Sequence, residues 1–194
     1  MLLQRILTDQ YAPGQRLVET RIAQELGVSQ APVREALRDL ELLRFVESAP
    51  FRGSWVREIS PSEMVQVYPV RAALEELAAR EAAVRLGGDV SALEAELAAM
   101  RAAADLHEQV AHDARFHELI VEAAANPPLT AAWRALQVAA VTAITALTTG
   151  LALDEIARRH EPIVDALRAG DPEAAGTATR RHLEQFGELV KVTA

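Results

Sequence analysis

The sequence predicts a mostly helical protein: an N-terminal helix–turn–helix with a two-stranded hairpin, followed by six helices. Three observations predict it. Half of the 194 residues are hydrophobic, and 33 of the 38 alanines lie after residue 60. An alanine-rich, strand-poor composition favours helix. Charge divides at the same place. In residues 1–60 eight arginines offset eight acidic residues, whereas 61–194 carry 12 basic and 20 acidic residues, and so the whole net charge of −8. The break is Ile59-Ser60-Pro61-Ser62, where Pro61 disfavours helix at Ser60, and Ser60 or Ser62 can cap a new helix. The chain is therefore read as two domains, 1–60 and 61–194.

The elements of the first domain follow in order. Leu2 to Gln10 is an amphipathic helix, and Ala12-Pro13-Gly14-Gln15 is a turn. Glu19 to Leu26 is a second helix, with Gly27 at its C-terminal end. Ser29 caps a third, Gln30 to Leu43. Pro32 lies in its first turn, where a missing N–H costs nothing. Val28, Val33 and Leu37 supply its apolar side. Phe45 to Glu47, a turn at Pro50 to Gly53, and Ser54 to Val56 read as a hairpin. The second domain reads as helices at Ser62–Leu86, Val90–Ala104, Asp105–Ala125, Pro128–Thr149, Leu153–Ala169 and Pro172–Val192. Turn chemistry separates them. Pro69 lies inside the first of these helices and is expected to kink it.

Composition excludes several classes. There is no cysteine, so disulfide scaffolds, zinc fingers, iron–sulfur clusters and thiol nucleophiles are out. No secretory signal is expected, and the reading is cytoplasmic. Ala135 to Leu153 carries no charge, but Val138, Val141, Ile144, Leu147 and Leu151 make one apolar stripe. That suits a buried bundle helix better than a membrane span, so no membrane partner is expected. The acidic total argues at first against nucleic acid. The neutral N-terminal domain removes that objection.

A helix, the turn Leu26-Gly27-Val28-Ser29 and a second helix have helix–turn–helix spacing. Ser29, Gln30 and Arg34 face outward from the second helix, and Arg34 and Arg38 share one face. Arginine takes phosphate or guanine bidentately, and glutamine reads adenine. Arg52 and Gly53 at the hairpin tip suit contact with backbone or minor groove. A small solvated helical domain with ordinary surface arginines is the plain alternative.

The wider pattern is more specific. Pro13-Gly14-Gln15-Arg16-Leu17, Glu19, Ile22-Ala23, Leu26 to Ser29, Pro32 to Leu37 and Arg52-Gly53 resemble the winged helix–turn–helix of the GntR family of bacterial transcription regulators. The resemblance covers nearly all of residues 1–58. It implies double-stranded DNA as partner, with Ser29, Gln30, Arg34, Arg38, Arg52 and Gly53 at the contact. Two positions depart from the family: Gln30 and Thr20 stand where many members carry arginine. The operator sequence does not carry over.

In the second domain Asp113 and His117 are four apart on one helix, and His160 and His182 lie on two later helices. One carboxylate and three imidazoles suit a divalent metal inside a bundle. Scattered structural histidines would look the same. His107 and His112 are read as solvated. The stretches Asp113 to Ile120, Asn126-Pro127, His160 to Asp171 and Arg181-His182-Leu183 resemble the FCD effector domain of the FadR-type branch of that family. The helix count is similar to its shorter, VanR-like subgroup. The resemblance covers about residues 62–190 and implies an antiparallel bundle for binding effector and forming a homodimer. It implies that Asp113, His117, His160 and His182 hold a divalent ion such as zinc, nickel or manganese. Val70-Arg71-Ala-Ala-Leu74-Glu75 matches a family stretch whose arginine points into the cavity and binds a small carboxylic acid. An exposed Arg71 paired with Glu75 is the alternative. Thr142, Thr145 and Thr149 form a polar line that faces either the ligand or its own helix.

The expected function is therefore a transcription regulator, a repressor, with no enzymatic activity. A homodimer would bind a pseudo-palindromic operator, and a small organic acid at the metal would modulate it. A metal-dependent hydrolase or lyase on the same Asp/His set is the second reading, and a metal-free sensor of apolar ligands the third.

Overall fold

The computed structural model describes residues 2–7, 10–42, 45–57, 61–136 and 138–193. Ser60, one of the two expected caps, lies outside them, as do the side chains of Ser62, His107, Ile144 and Leu147. The chain forms two compact units, Met1–Ser60 and Pro61–Ala194.

The first unit contains α1 (Leu2–Leu7), β1 (Arg16–Leu17), α2 (Glu19–Leu26), α3 (Gln30–Leu42), β2 (Val46–Ala49) and β3 (Gly53–Val56). Gly27 ends α2 with φ 66°, and its N–H donates back to the Ala23 and Gln24 carbonyls. Glycine takes this left-handed conformation without a Cβ penalty. Ile22, Ala23, Val33, Leu37 and Leu40 are buried where α2 meets α3. Val28 is the exception to the expected apolar side. It precedes α3 in the turn and is 47% exposed. The sheet has three strands rather than two, in the order β1-β3-β2, with Arg16 opposite Trp55 and Glu47 opposite Trp55 on the other side.

The second unit contains α4 (Pro61–Leu86), α5 (Ser91–Ala102), α6 (Leu106–Ala123), α7 (Pro127–Ala135), α8 (Val138–Thr149), α9 (Leu153–Arg158), α10 (Glu161–Arg168) and α11 (Pro172–Thr193). Two of the six predicted helices are divided. The fourth breaks after Ala135, where the Leu136 N–H donates to Trp133 rather than one residue further back. The fifth breaks at Arg159 and His160, and α10 restarts with Pro162 in its first turn. There the missing N–H of proline is harmless. Helix α4 runs through Pro69.

The largest helix–helix contact joins α4 to α11. Small residues permit the close approach. Ala72, Ala78, Ala79, Ala82 and Ala175 are buried, and a Cβ on Gly187 would sit 3.1 Å from the Cβ of Tyr68. Phe116, Ile120, Met100, Ile163, Leu167 and Trp133 build the core around α6. Among the described residues no helix is long and apolar enough to cross a membrane.

Candidate functional site

Four helices of the second unit, with the junction residue before α10, carry a cluster of polar side chains into this apolar core. Arg71 and Glu75 come from α4, Asp113 and His117 from α6, Thr142 and Thr145 from α8, His160 from the break before α10, and His182 from α11. All eight are buried. Burial of so many polar groups is costly unless each is paired or serves a ligand.

The three histidines converge. His117, His160 and His182 each offer a ring nitrogen, and these atoms lie within 4.8 Å of one another. The Nε2 atoms of His117 and His160 are 3.3 Å apart. The opposite edges of the rings are committed. His160 Nδ1 lies 3.0 Å from the Ile156 carbonyl and His182 Nδ1 3.1 Å from the Arg159 carbonyl. Carbonyls only accept, so both Nδ1 atoms donate. His117 Nδ1 sits 2.5 Å from Glu75 Oε2, a close ion-pair contact poorly aligned as a hydrogen bond. With Glu75 ionised, this nitrogen also carries the proton. With the Nδ1 edges so engaged, the Nε2 edges of His117 and His160 face each other and Asp113, and a cation there would take their lone pairs. Asp113 adds its carboxylate, with Oδ2 3.3 Å from His160 Nε2 and Oδ1 3.8 Å from His117 Nε2.

Electrostatics match this arrangement. Burial pushes the His117 and His182 pKa values down, and for His182 the neighbouring His160 and His117 push further. Burial would raise Asp113, but His160 and His117 outweigh it and hold the carboxyl at about 2. Burial would likewise raise Glu75, yet Arg71 and His117 keep it well below the usual carboxylate range. Burial thus favours the neutral forms of His117 and His182, and Asp113 and Glu75 stay ionised, a donor set suited to a cation.

Arg71 is neither exposed nor free. Its Nε donates to Glu75 Oε1 at 2.7 Å and its Nη1 to Thr142 Oγ1 at 3.2 Å, while Nη2 is buried without a hydrogen-bond partner among the described residues. Pairing with Glu75 and facing the cavity, posed as alternatives by the sequence, occur together. Thr145 donates to the Val141 carbonyl at 2.9 Å and accepts from the Tyr68 hydroxyl at 2.8 Å. It serves its own helix, while Thr142 serves Arg71. A small cavity of about 20 Å³ is lined by Arg71, Asp113, His117, Thr142, His182 and Phe186. That is room for about one water-sized occupant. Glu75 was missed as a site residue in the sequence, because its i+4 spacing from Arg71 is also the commonest surface pattern. His112, read as solvated, is half-buried and pairs with Glu96 at 2.8 Å.

In the first unit Ser29, Gln30, Arg34, Arg38, Arg52 and Gly53 are all exposed. Arg34 is held by Glu19 of α2 through Nε and Nη2 at 2.8–3.2 Å. Arg52 lies over the Trp55 ring, 5.4 Å from its centroid.

Comparison with known proteins places both units. Residues 1–56 match the bacterial regulatory proteins of the gntR family, and residues 66–185 match the FCD domain. The chain is 37% identical over 176 residues to a Paenarthrobacter nicotinovorans protein named "Probable D-xylose utilization operon transcriptional repressor", covering 89% of this chain and 78% of that one. It is 28% identical to the HTH-type transcriptional repressor RspR of Escherichia coli K12, covering 93% and 81%. Among solved structures, a transcriptional regulator GntR from Rhodococcus sp. RHA1 superposes with a TM-score of 0.73 at 26% identity, covering 98% of this chain and 94% of that one. The chain therefore belongs to the gntR family of bacterial transcription regulators, with an FCD domain as its C-terminal half.

Proposed function

We propose that this protein is a homodimeric repressor whose operator affinity is set by a small organic acid bound at a metal in the helical domain. The observation that carries the reading is the convergence of three imidazole ring nitrogens beside Asp113 and the unpartnered Nη2 of Arg71. His117, His160, His182 and Asp113 would hold a divalent ion such as zinc, nickel or manganese. The outward Nδ1 contacts, Glu75 above all, are the supports that orient metal-binding histidines. The metal, when bound, supplies a Lewis-acidic centre with positions open to a carboxylate.

The charge balance favours an anion as the second ligand. Arg71 and Glu75 offset each other, so a divalent ion against Asp113 leaves one positive charge. One carboxylate cancels it, and Arg71 Nη2 is placed to donate to it. The 20 Å³ cavity has no room for an organic acid beside the ion. Acid binding is therefore expected to enlarge this cavity, which gives the acid a structural consequence to couple to DNA affinity.

The hydrolase or lyase reading is weaker. It needs a free general base, and Glu75, the carboxylate nearest His117, is engaged by Arg71, His117 and Trp133. The first unit, with its exposed Arg34 and Arg38, would also have no role.

Thermal melting of untagged protein tests the proposal. Added zinc, nickel or manganese is expected to raise the melting temperature, and small carboxylic acids to raise it further only in the metal-loaded protein. His160→Ala should abolish both shifts. Equal shifts in that variant would overturn the site assignment.

A further inference from the structure

The tip of the wing carries a side chain that the fold does not explain. Ala49, Pro50, Phe51 and Arg52 form a tight turn closed by the Arg52 N–H donating to the Ala49 carbonyl at 3.1 Å. Proline stands at the second position and Phe51 at the third, where φ is 64°. This is the arrangement of a type II turn, whose third position favours glycine or asparagine. A bulky residue there is an outlier. Packing does not compensate for it. Phe51 is 106% exposed, whereas Phe45, Phe116 and Phe186 are all buried. A strained conformation holding an unpacked aromatic ring points to a use outside the fold.

We infer that Phe51 is a wedge that inserts into the minor groove of duplex DNA at a flexible base step and kinks it. Apolar side chains inserted between bases bend DNA in this way, and pyrimidine–purine steps yield most easily. The surroundings fit a groove lined by phosphates. Arg52 follows Phe51 directly, and Arg16 of β1 places its guanidinium about 3.4 Å from where a Cβ on Gly53 would lie. Neither arginine takes part in an ion pair among the described residues. The wing is also stiff enough to deliver the ring. Trp55 Nε1 donates to Glu47 Oε2 at 3.2 Å, the Ser48 and Ser54 hydroxyls are 2.9 Å apart, and Arg52 stacks on Trp55. The inference rests on the DNA-binding reading of the first unit.

The test uses a duplex that the wild-type full chain selects from a random-sequence pool, labelled at both ends for energy transfer. Wild type, Phe51→Asn and Arg52→Ala are compared for affinity, salt dependence and end-to-end distance. Phe51→Asn should bind about tenfold more weakly, as loss of one base–aromatic stack implies. It should leave the duplex less bent and the salt slope unchanged. Arg52→Ala should reduce the salt slope by about one contact. Phe51→Asn should also melt at or above the wild-type temperature, since asparagine suits the turn. Equal affinity and bending in Phe51→Asn would overturn the wedge. So would a lowered melting temperature, or a changed sedimentation coefficient with DNA binding intact, which would make Phe51 a self-association contact. If the wild type selects no duplex at all, the DNA-binding reading itself fails.

Discussion

Glu75 joins the two halves of the candidate centre. One oxygen takes the Arg71 Nε and Trp133 Nε1 hydrogen bonds, and the other faces His117. Its charge both neutralises Arg71 and fixes the His117 tautomer. Glu75→Gln leaves a buried guanidinium without its counter-charge, which is expected to cost about 3 kcal/mol in urea unfolding. A cost under about 1 kcal/mol would mean that water already serves Arg71. The imidazoles set a pH dependence. Burial holds His117 and His182 below 6.5, so they stay neutral in the fold while the unfolded chain takes up protons as the pH falls through about 6.5. The unfolded state then binds more protons, and stability drops. Asp113, held at about 2 against an ordinary 3.8, adds a loss of the same sign at lower pH. Metal-free protein is expected to melt at lower temperature at pH 5.5 than at pH 7.5. A flat profile would contradict the buried, neutral rings. Its pairing with Arg71 was legible from the i+4 spacing, but its contact to His117 was not, because that contact to α6 is tertiary.

At the scale of elements, the proposed DNA reading rests on α3. Arg34 and Arg38 are exposed on it, and Glu19 holds the Arg34 guanidinium through Nε and Nη2. The double variant Arg34→Ala, Arg38→Ala is expected to fold normally by circular dichroism and to lose operator affinity by more than tenfold in a gel-shift titration. Normal binding by that variant would remove α3 from the recognition role. Much of this unit was legible, since Gly27, Pro32 and the spacing of Val33 and Leu37 are local signals. Strand β1 was not, because two residues are too few to show alternation. In the helical unit the break between α7 and α8 has no glycine or proline to announce it. The break before α10 did have a signal. Pro162 stands inside the predicted fifth helix, and a proline there belongs to a first turn. That break matters for the site, since it presents the His160 ring to His117 and turns its Nδ1 to Ile156.

At the scale of the whole molecule, the division of charge now has a physical reading. The −8 belongs to the helical unit, whose residues 66–185 match the FCD domain, while the neutral N-terminal unit exposes Arg34 and Arg38 on α3 and Arg52 at the hairpin tip. Neutrality limits non-specific attraction to phosphate, so tight binding is expected to need two copies on one operator. The site was legible as a donor set, because Asp113 and His117 share a helix face and His160 and His182 fall on later helices. The size of its cavity was not, since that depends on how Phe186 and α8 pack. The central claim is that an acid at this centre changes DNA affinity. Its most direct test is the operator affinity of metal-loaded protein, measured by fluorescence anisotropy against a series of small carboxylic acids. At least one acid should shift the affinity fivefold or more, and the shift should vanish on chelation and in Asp113→Ala. An affinity that no acid moves, or a shift that survives chelation, would contradict the account.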